Sequence, residues 1–495
     1  MSASAQEIDL SLISHTNVGK TTLARTLLSR SVGEVRDAPH VTAEAEPYPM
    51  IETAGGDVLR LWDTPGFGDS ARLAKRLRLS GRPIGWFLTE VWDRWLDRPF
   101  WSSQQAMRNV RDEADVVLYL VNAAENPADA GYVAPEMQIL EWLGKPAIVL
   151  LNQMGEPRPR AVEKAEEERW RAHVAGHGFV RGVLTLDAFA RCWVQERVLL
   201  RAVDAALPET KRPALARIEA VWQARRMDEF DASMAALADQ LGRAGCDREP
   251  VDEQGMRAQL REIGTALGLA REGETSPKER AMTRLADRLA ADVRVATDRL
   301  IGIYGLEGRA SAEVLQRLAG DFAVDLRVSE GKAAVLGGLV SGALSGLAAD
   351  LAAGGLSFGA GLLTGGLLGA LGAAGLARGY NLVRGKTETS VRWADEFLDG
   401  FFAAALLRYL AVAHYGRGRG EWTRSEHPAF WRDVVAGVVE PRRAALAAIW
   451  TQRAGECDPA KLALALRAEL RAAALDLLER LYPGALDGQA ASGGQ

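Results

Sequence analysis

Ser14-His15-Thr16-Asn17-Val18-Gly19-Lys20-Thr21-Thr22 is the stretch whose reading decides the fold. The residues before it, Ile8 to Ile13, form an apolar run that alternates like a strand. Those after it, Leu23-Ala24-Arg25-Thr26-Leu27-Leu28, have the apolar spacing of a helix start. Strand, tight loop, Gly-Lys-Thr and helix is the context in which a P-loop match carries a mechanism. Backbone N–H groups from Ser14, Asn17, Val18 and Gly19 through Lys20, Thr21 and Thr22 then converge on an anion, expected to be a nucleotide phosphate. Lys20 would reach the β- and γ-phosphates, and the Thr21 hydroxyl would ligate Mg²⁺. Ser14 stands where such loops usually open on Gly, which leaves the tight backbone approach less assured. The bland alternative is a chance Gly-Lys-Thr at a helix start; the pieces that follow in order weigh against it.

Outward from the loop, the polar stretch Ser31 to Glu46 contains His40-Val41-Thr42. An exposed Thr some twenty residues beyond the lysine is where a switch loop offers a second hydroxyl to Mg²⁺, and Thr42 is the candidate. Tyr48 to Thr53 and Val58 to Trp62 flank Ala54-Gly55-Gly56-Asp57, which reads as a hairpin. Its second strand runs into Asp63-Thr64-Pro65-Gly66. There the carboxylate can hold Mg²⁺ through water and the Gly66 N–H can meet a γ-phosphate. Apolar runs at Val116 to Val121, Ala147 to Leu151 and Val180 to Leu186 supply further strands. Near-continuous apolar strands alternating with helical segments imply an α/β domain with a mostly parallel six-stranded sheet.

The order P-loop, Thr42, Asp63-Thr64-Pro65-Gly66, Asn152 resembles small regulatory GTPases of the Era and TrmE type over about residues 7 to 205. The whole chain also resembles a group of bacterial proteins in which such a G domain precedes an uncharacterised helical, Gly-rich region. The resemblance implies GTP and GDP as ligands, Mg²⁺ as cofactor, and Lys20, Thr42 and Gly66 as the groups facing the reacting phosphate. It also implies K⁺ held by Asn17, since an Asn three residues before the lysine accompanies that ion in this type. Phe67 follows Asp-Thr-Pro-Gly where Ras-like proteins carry a water-orienting Gln. Slow hydrolysis, assisted by potassium, a partner or self-association through the G domains, is the implied behaviour.

The chain departs from this family at the base-reading motif. Asn-Lys-x-Asp is replaced by Asn152-Gln153-Met154-Gly155, so Asn152 is kept but Gly155 has no carboxylate for the two guanine N–H groups. Glu156 is a shifted substitute. Unpaired donors lower base discrimination. The last base-contacting loop is expected near Thr185-Leu186-Asp187-Ala188.

An insert within residues 70–111 opens basic (Arg72, Lys75, Arg76, Arg78, Arg82) and turns aromatic (Trp86, Phe87, Trp92, Trp95, Phe100, Trp101). It reads equally as a docking surface for a membrane or partner and as packing against the helical half. His173 and His177 share a helical spacing but lack a third metal ligand.

Residues 206–330 read as amphipathic helices, with Met282, Leu285, Leu289 and Val293 on one stripe and Leu315, Leu318 and Phe322 on another. Within the Gly-rich stretch 331–386, Ala333 to Ala377 carries one charged residue, Asp350, and glycines four apart. This pattern suits a hydrophobic helical hairpin that either enters an inner membrane, touching its lipid or a membrane protein, or packs inside the protein. Residues 387–484 continue as helices, the strongly apolar one at Val391 to Tyr415 included, and 485–495 read as a disordered tail.

A chain of 495 residues needs more than one core, and a net charge of −5 makes nucleic acid an unlikely partner. Cys192, Cys246 and Cys457 are few and far apart, so no disulfide framework is expected. Met1 to Glu7 has neither the basic nor the apolar part of a secretory signal, and the expected location is cytoplasmic, with membrane association through 333–377. Two readings stand: a GTP-hydrolysing switch, and an interaction or membrane scaffold whose G domain is degenerate.

Overall fold

A computed structural model describes residues 5–16, 18–28, 45–78, 98–154, 158, 160–186, 192–251, 277–306, 380–384, 389–414 and 429–486. These fall into two compact units. One comprises Met1–Asp228 with Ala413–Trp422 and Tyr482–Gln495; the other comprises Glu229–Val412 with Thr423–Leu481.

The first unit is built on a six-stranded sheet of order β2-β3-β1-β4-β5-β6. Its strands are β1 (Glu7–Ser14), β2 (Glu46–Glu52), β3 (Val58–Asp63), β4 (Val116–Asn122), β5 (Ala147–Asn152) and β6 (Val180–Thr185). All neighbours are parallel except β2 and β3. Every residue of β5 is buried, as are seven of the eight in β1. Strands covered on both faces need apolar side chains on both, which is why β5 reads as a continuous apolar run. The β2–β3 turn closes at Gly56, whose φ of +87° favours a residue without Cβ. Crossover helices α1 (Lys20–Leu28), α2 (Ser70–Leu77), α3 (Arg98–Asp112), α4 (Val133–Leu143) and α5 (Arg160–Val174) accompany the sheet. The loops after β1 and β3, both at strand C-termini, meet at the sheet's switch point, where open α/β sheets place their ligands.

Phe100, on α3, is fully buried, with the Arg72 and Arg76 guanidinium groups 4.3 and 5.4 Å from its ring centre. This part of the aromatic insert is packing; its Trp86, Phe87, Trp92 and Trp95 lie outside the described residues. The unit also holds α6 (Trp193–Ala206) and the first half of α7 (Arg212–Cys246). Arg217 of α7 pairs with the buried Asp57 of the β2–β3 turn at 2.7 Å, and Lys211 with Asp115 at 2.6 Å.

The second unit is largely helical: the remainder of α7, then α8 (Pro277–Ile303), α9 (Asp395–Ala413), α10 (Ala429–Val439), α11 (Arg443–Trp450) and α12 (Pro459–Leu481). Met282, Leu285, Leu289 and Val293 are buried as their spacing implies; Leu315, Leu318 and Phe322 lie outside the described residues. Two expectations need correction. The helix expected from Val391 starts at Asp395, because Thr389–Trp393 is β9, the middle of a three-stranded sheet with β7 (Arg248–Pro250) and β8 (Tyr380–Arg384). The alternating, partly β-branched Thr-Ser-Val-Arg-Trp suits a strand, and a buried Arg453 holds its end by donating to the Trp393 carbonyl at 2.7 Å. Cys246 and Cys457 form a disulfide, with Cα atoms 5.3 Å apart despite 211 residues of separation. Gly242 and Gly245 permit the close approach that joins them: a Cβ at Gly242 would lie 2.5 Å from the Pro459 carbonyl oxygen.

Among the described residues no helix is long and apolar enough to cross a membrane. The hairpin expected at 333–377 lies outside them.

Candidate nucleotide site

The end of β1 turns into the phosphate loop at Ser14, which is fully buried. Its hydroxyl donates to the His15 carbonyl and accepts a 3.0 Å hydrogen bond from Lys20 Nζ. Ser at the loop's first position therefore gives the lysine a side-chain acceptor that Gly could not. Gly19 takes φ +91°, the left-handed conformation that starts α1, and a Cβ there would be 2.9 Å from Asn152 Nδ2. Asn152, buried at the end of β5, donates from Nδ2 to the Val18 carbonyl at 2.7 Å. The base-motif asparagine thus braces the phosphate loop. Gln153 adopts φ +57° just after it, and Leu186 is buried, its N–H bonded to the Leu151 carbonyl at 3.0 Å.

Thr21 and Thr22 sit in the first turn of α1. The Thr21 hydroxyl donates to Asp63 Oδ2 at 2.6 Å, across from the end of β3. Asp63 is buried, and its Oδ1 has no hydrogen-bond partner among the described residues. Burial pushes the Asp63 carboxyl up from its ordinary range, offset by Thr21 and Lys20. Burial likewise pulls the Lys20 ammonium down, offset by Asp63 and Glu136. A lysine and a carboxylate both taken out of water want counter-charges: phosphate for one, a cation for the other. An orphaned carboxylate oxygen beside a threonine hydroxyl is a hard-oxygen pair that fits Mg²⁺. Gly66 closes the far side: a Cβ there would meet Lys20 Nζ at 3.0 Å and Thr16 Cα at 3.2 Å. Phe67 N–H donates to the Ser14 carbonyl at 2.9 Å, and His15 and Phe67 form a parallel bridge. The Asp63–Gly66 loop is thereby laid against the phosphate loop.

Ser14, Val18, Gly19, Lys20, Thr21, Thr22, Asp63, Gly66, Asn152 and Gln153 are thus assembled around one loop. Asn17, Thr42, Gly155 and Glu156 lie outside the described residues. Among the described residues no cluster of His, Cys, Asp or Glu could hold a metal ion by itself, His173 and His177 included.

Sequence reasoning missed a second layer. His15 Nδ1 lies 2.8 Å from Glu136 Oε1, and the Tyr119 hydroxyl donates to Glu136 Oε2 at 2.8 Å. His15 also stacks on Tyr132 with centroids 4.7 Å apart. Burial pushes the Glu136 carboxyl up, opposed by His15, Tyr119 and Ser70. A glutamate inside the apolar pattern of α4 was the only available signal.

Fold and site together define a P-loop GTPase domain carrying a largely helical extension. Residues 9–153 match the model of the 50S ribosome-binding GTPases. Residues 179–481, over half of the chain, match the model described as domain of unknown function DUF3482, and the chain belongs to that family. No curated protein matches it. Among solved structures it is similar to Era in complex with MgGDPNP and nucleotides 1506–1542 of 16S ribosomal RNA, at 18% identity and a TM-score of 0.31. That match covers 41% of this chain and 58% of the other, so the chain spans little over half of that protein. It is also similar to an Aquifex aeolicus Era variant bound to GDP and AlF₄⁻, at 14% identity, 61% and 99% coverage and a TM-score of 0.31.

Proposed function

We propose that the protein is a nucleotide-dependent switch of the Era and TrmE type that binds GTP with Mg²⁺ and hydrolyses it slowly. The observation that carries this is the Thr21–Asp63 contact with its orphaned Oδ1, set beside a buried Lys20 at the turn from β1 into α1. Lys20 neutralises the β- and γ-phosphates, and the loop N–H groups orient them. Thr21, Asp63 and Thr42 would hold Mg²⁺, which when bound would supply positive charge to the phosphates. Gly66 meets the γ-phosphate through its N–H, so the Asp63–Gly66 loop and α2 after it respond to whether that phosphate is there. Asn17 is assigned to K⁺, and self-association through the G domains is a second way to speed hydrolysis.

The second reading, a degenerate G domain on an interaction scaffold, is favoured by Gly155 in place of the base-reading Asp. Membrane association through 333–377 belongs to either reading. The test is phosphate release with GTP and ATP, in K⁺ and in Na⁺, for the wild type and Lys20→Ala. GTP turnover lost in Lys20→Ala supports the switch; no turnover or binding with any nucleotide supports the scaffold. Flotation with liposomes, with and without residues 333–377, tests the membrane part.

A further inference from the structure

Ser14 is fully buried, and both of its oxygens are engaged with the walls of the site. Its carbonyl accepts the Phe67 N–H at 2.9 Å, and its hydroxyl accepts from Lys20 Nζ at 3.0 Å. The one hydroxyl hydrogen is donated to the His15 carbonyl, so what faces the lysine is a lone pair. The hydroxyl is thereby fixed as an acceptor for the ammonium. On another side Gly66 crowds the same nitrogen: a Cβ there would stand 3.0 Å from Lys20 Nζ. Lys20 opens α1 and is itself buried. Its ammonium is therefore held in direction as well as in place, by a side chain at the position where such loops usually carry Gly.

We propose that Ser14 is a positioning residue that presets the Lys20 ammonium for the phosphates of the nucleotide. This rests on the reading of the site as a GTP site. An ammonium has three N–H groups and no acceptor. Ser14 takes one of them, which sets the rotation of the other two and leaves those for the β- and γ-phosphates. A lysine side chain has much rotamer freedom to lose, and fixing it before the nucleotide arrives removes that loss from binding. Without the hydroxyl this acceptor is gone, and the phosphates must themselves order the lysine.

The experiment is a double-mutant cycle on the full chain: wild type, Ser14→Ala, Lys20→Ala and the two combined. Each is titrated with a fluorescent, non-hydrolysable GTP analogue in Mg²⁺, and each is melted without nucleotide. Ser14→Ala should weaken the analogue by about fivefold, the size of one net hydrogen bond. In the Lys20→Ala background the same change should cost less than twofold, because the hydroxyl acts through the lysine. Where Lys20→Ala binds too weakly to titrate, the melting temperatures decide. Ser14→Ala should then lower the melting temperature by about 2–4 °C more with Lys20 present than with it gone. A hydroxyl that merely shapes the loop would cost the same in both backgrounds. That additivity, or an unchanged affinity in Ser14→Ala, overturns the inference. A wild type that binds no nucleotide overturns the reading of the site itself, and this inference with it.

Discussion

Replacing Gly19 by Ala isolates the backbone's part in phosphate binding. Gly19 has φ +91°, and an added Cβ would stand 2.9 Å from Asn152 Nδ2. The left-handed backbone alone costs an L-residue about 1–2 kcal/mol. Asn152 cannot yield without loosening its 2.7 Å bond to the Val18 carbonyl, which is buried; a net hydrogen bond is about 0.5–1.5 kcal/mol. Together these give roughly 1.5–3.5 kcal/mol against the binding-competent loop, or about ten- to several-hundredfold in nucleotide affinity. Titration of a fluorescent guanine nucleotide in Mg²⁺ measures it directly. Gly131→Ala is the control, since a Cβ there meets nothing within 4 Å. Affinity within twofold of wild type in Gly19→Ala would refute the claim that this loop holds the phosphates by its backbone.

Three further outcomes follow from named contacts. Asp63→Asn should remove the Mg²⁺-dependent part of nucleotide affinity, by about tenfold or more, because it deletes the charge on a carboxylate whose Oδ1, beside Thr21, has no partner among the described residues; titration with and without EDTA checks it. Arg408, on α9, is fully buried, and none of its guanidinium nitrogens has a partner among the described residues. Burial pushes it down to about 10, so Arg408→Met should raise stability by about 1–4 kcal/mol in denaturant unfolding; a loss instead would show that an anion pairs with it. The Arg217 hydrogen bond, foremost, holds the Asp57 carboxyl below its ordinary range. A depressed carboxyl stabilises the fold above its unfolded pKa of about 4, and that part is lost as pH falls through the folded value. The melting temperature of Arg217→Gln should therefore lie below wild type at neutral pH, with the gap closing below about pH 4.

The nucleotide domain was legible because its signals are local. Ser14 to Thr22 and Asp63 to Gly66 are short motifs at strand ends, and the strands other than β2 announce themselves as apolar runs bounded by turns. The chemistry proposed for these motifs rests on backbone N–H groups and on one lysine, one threonine and one aspartate at set spacings. The second unit was legible only as helices. Its strand at Thr389–Trp393 abuts an apolar helix, and five residues of mixed pattern cannot be told from that helix's first turn.

By itself, the sequence settled that strand, phosphate loop and helix come in that order, since each is specified by residues within a few positions of one another. Only the tertiary structure could bring Glu136 to His15 across 121 residues, Asn152 to Val18 across 134, and Cys246 to Cys457 across 211. Such pairs leave no trace in local spacing, because the sheet register and helix packing that align them are sums over the whole core. A buried carboxylate among apolar neighbours looks like an error in a helical stripe until the fold brings His15 and the Tyr119 hydroxyl to its two oxygens.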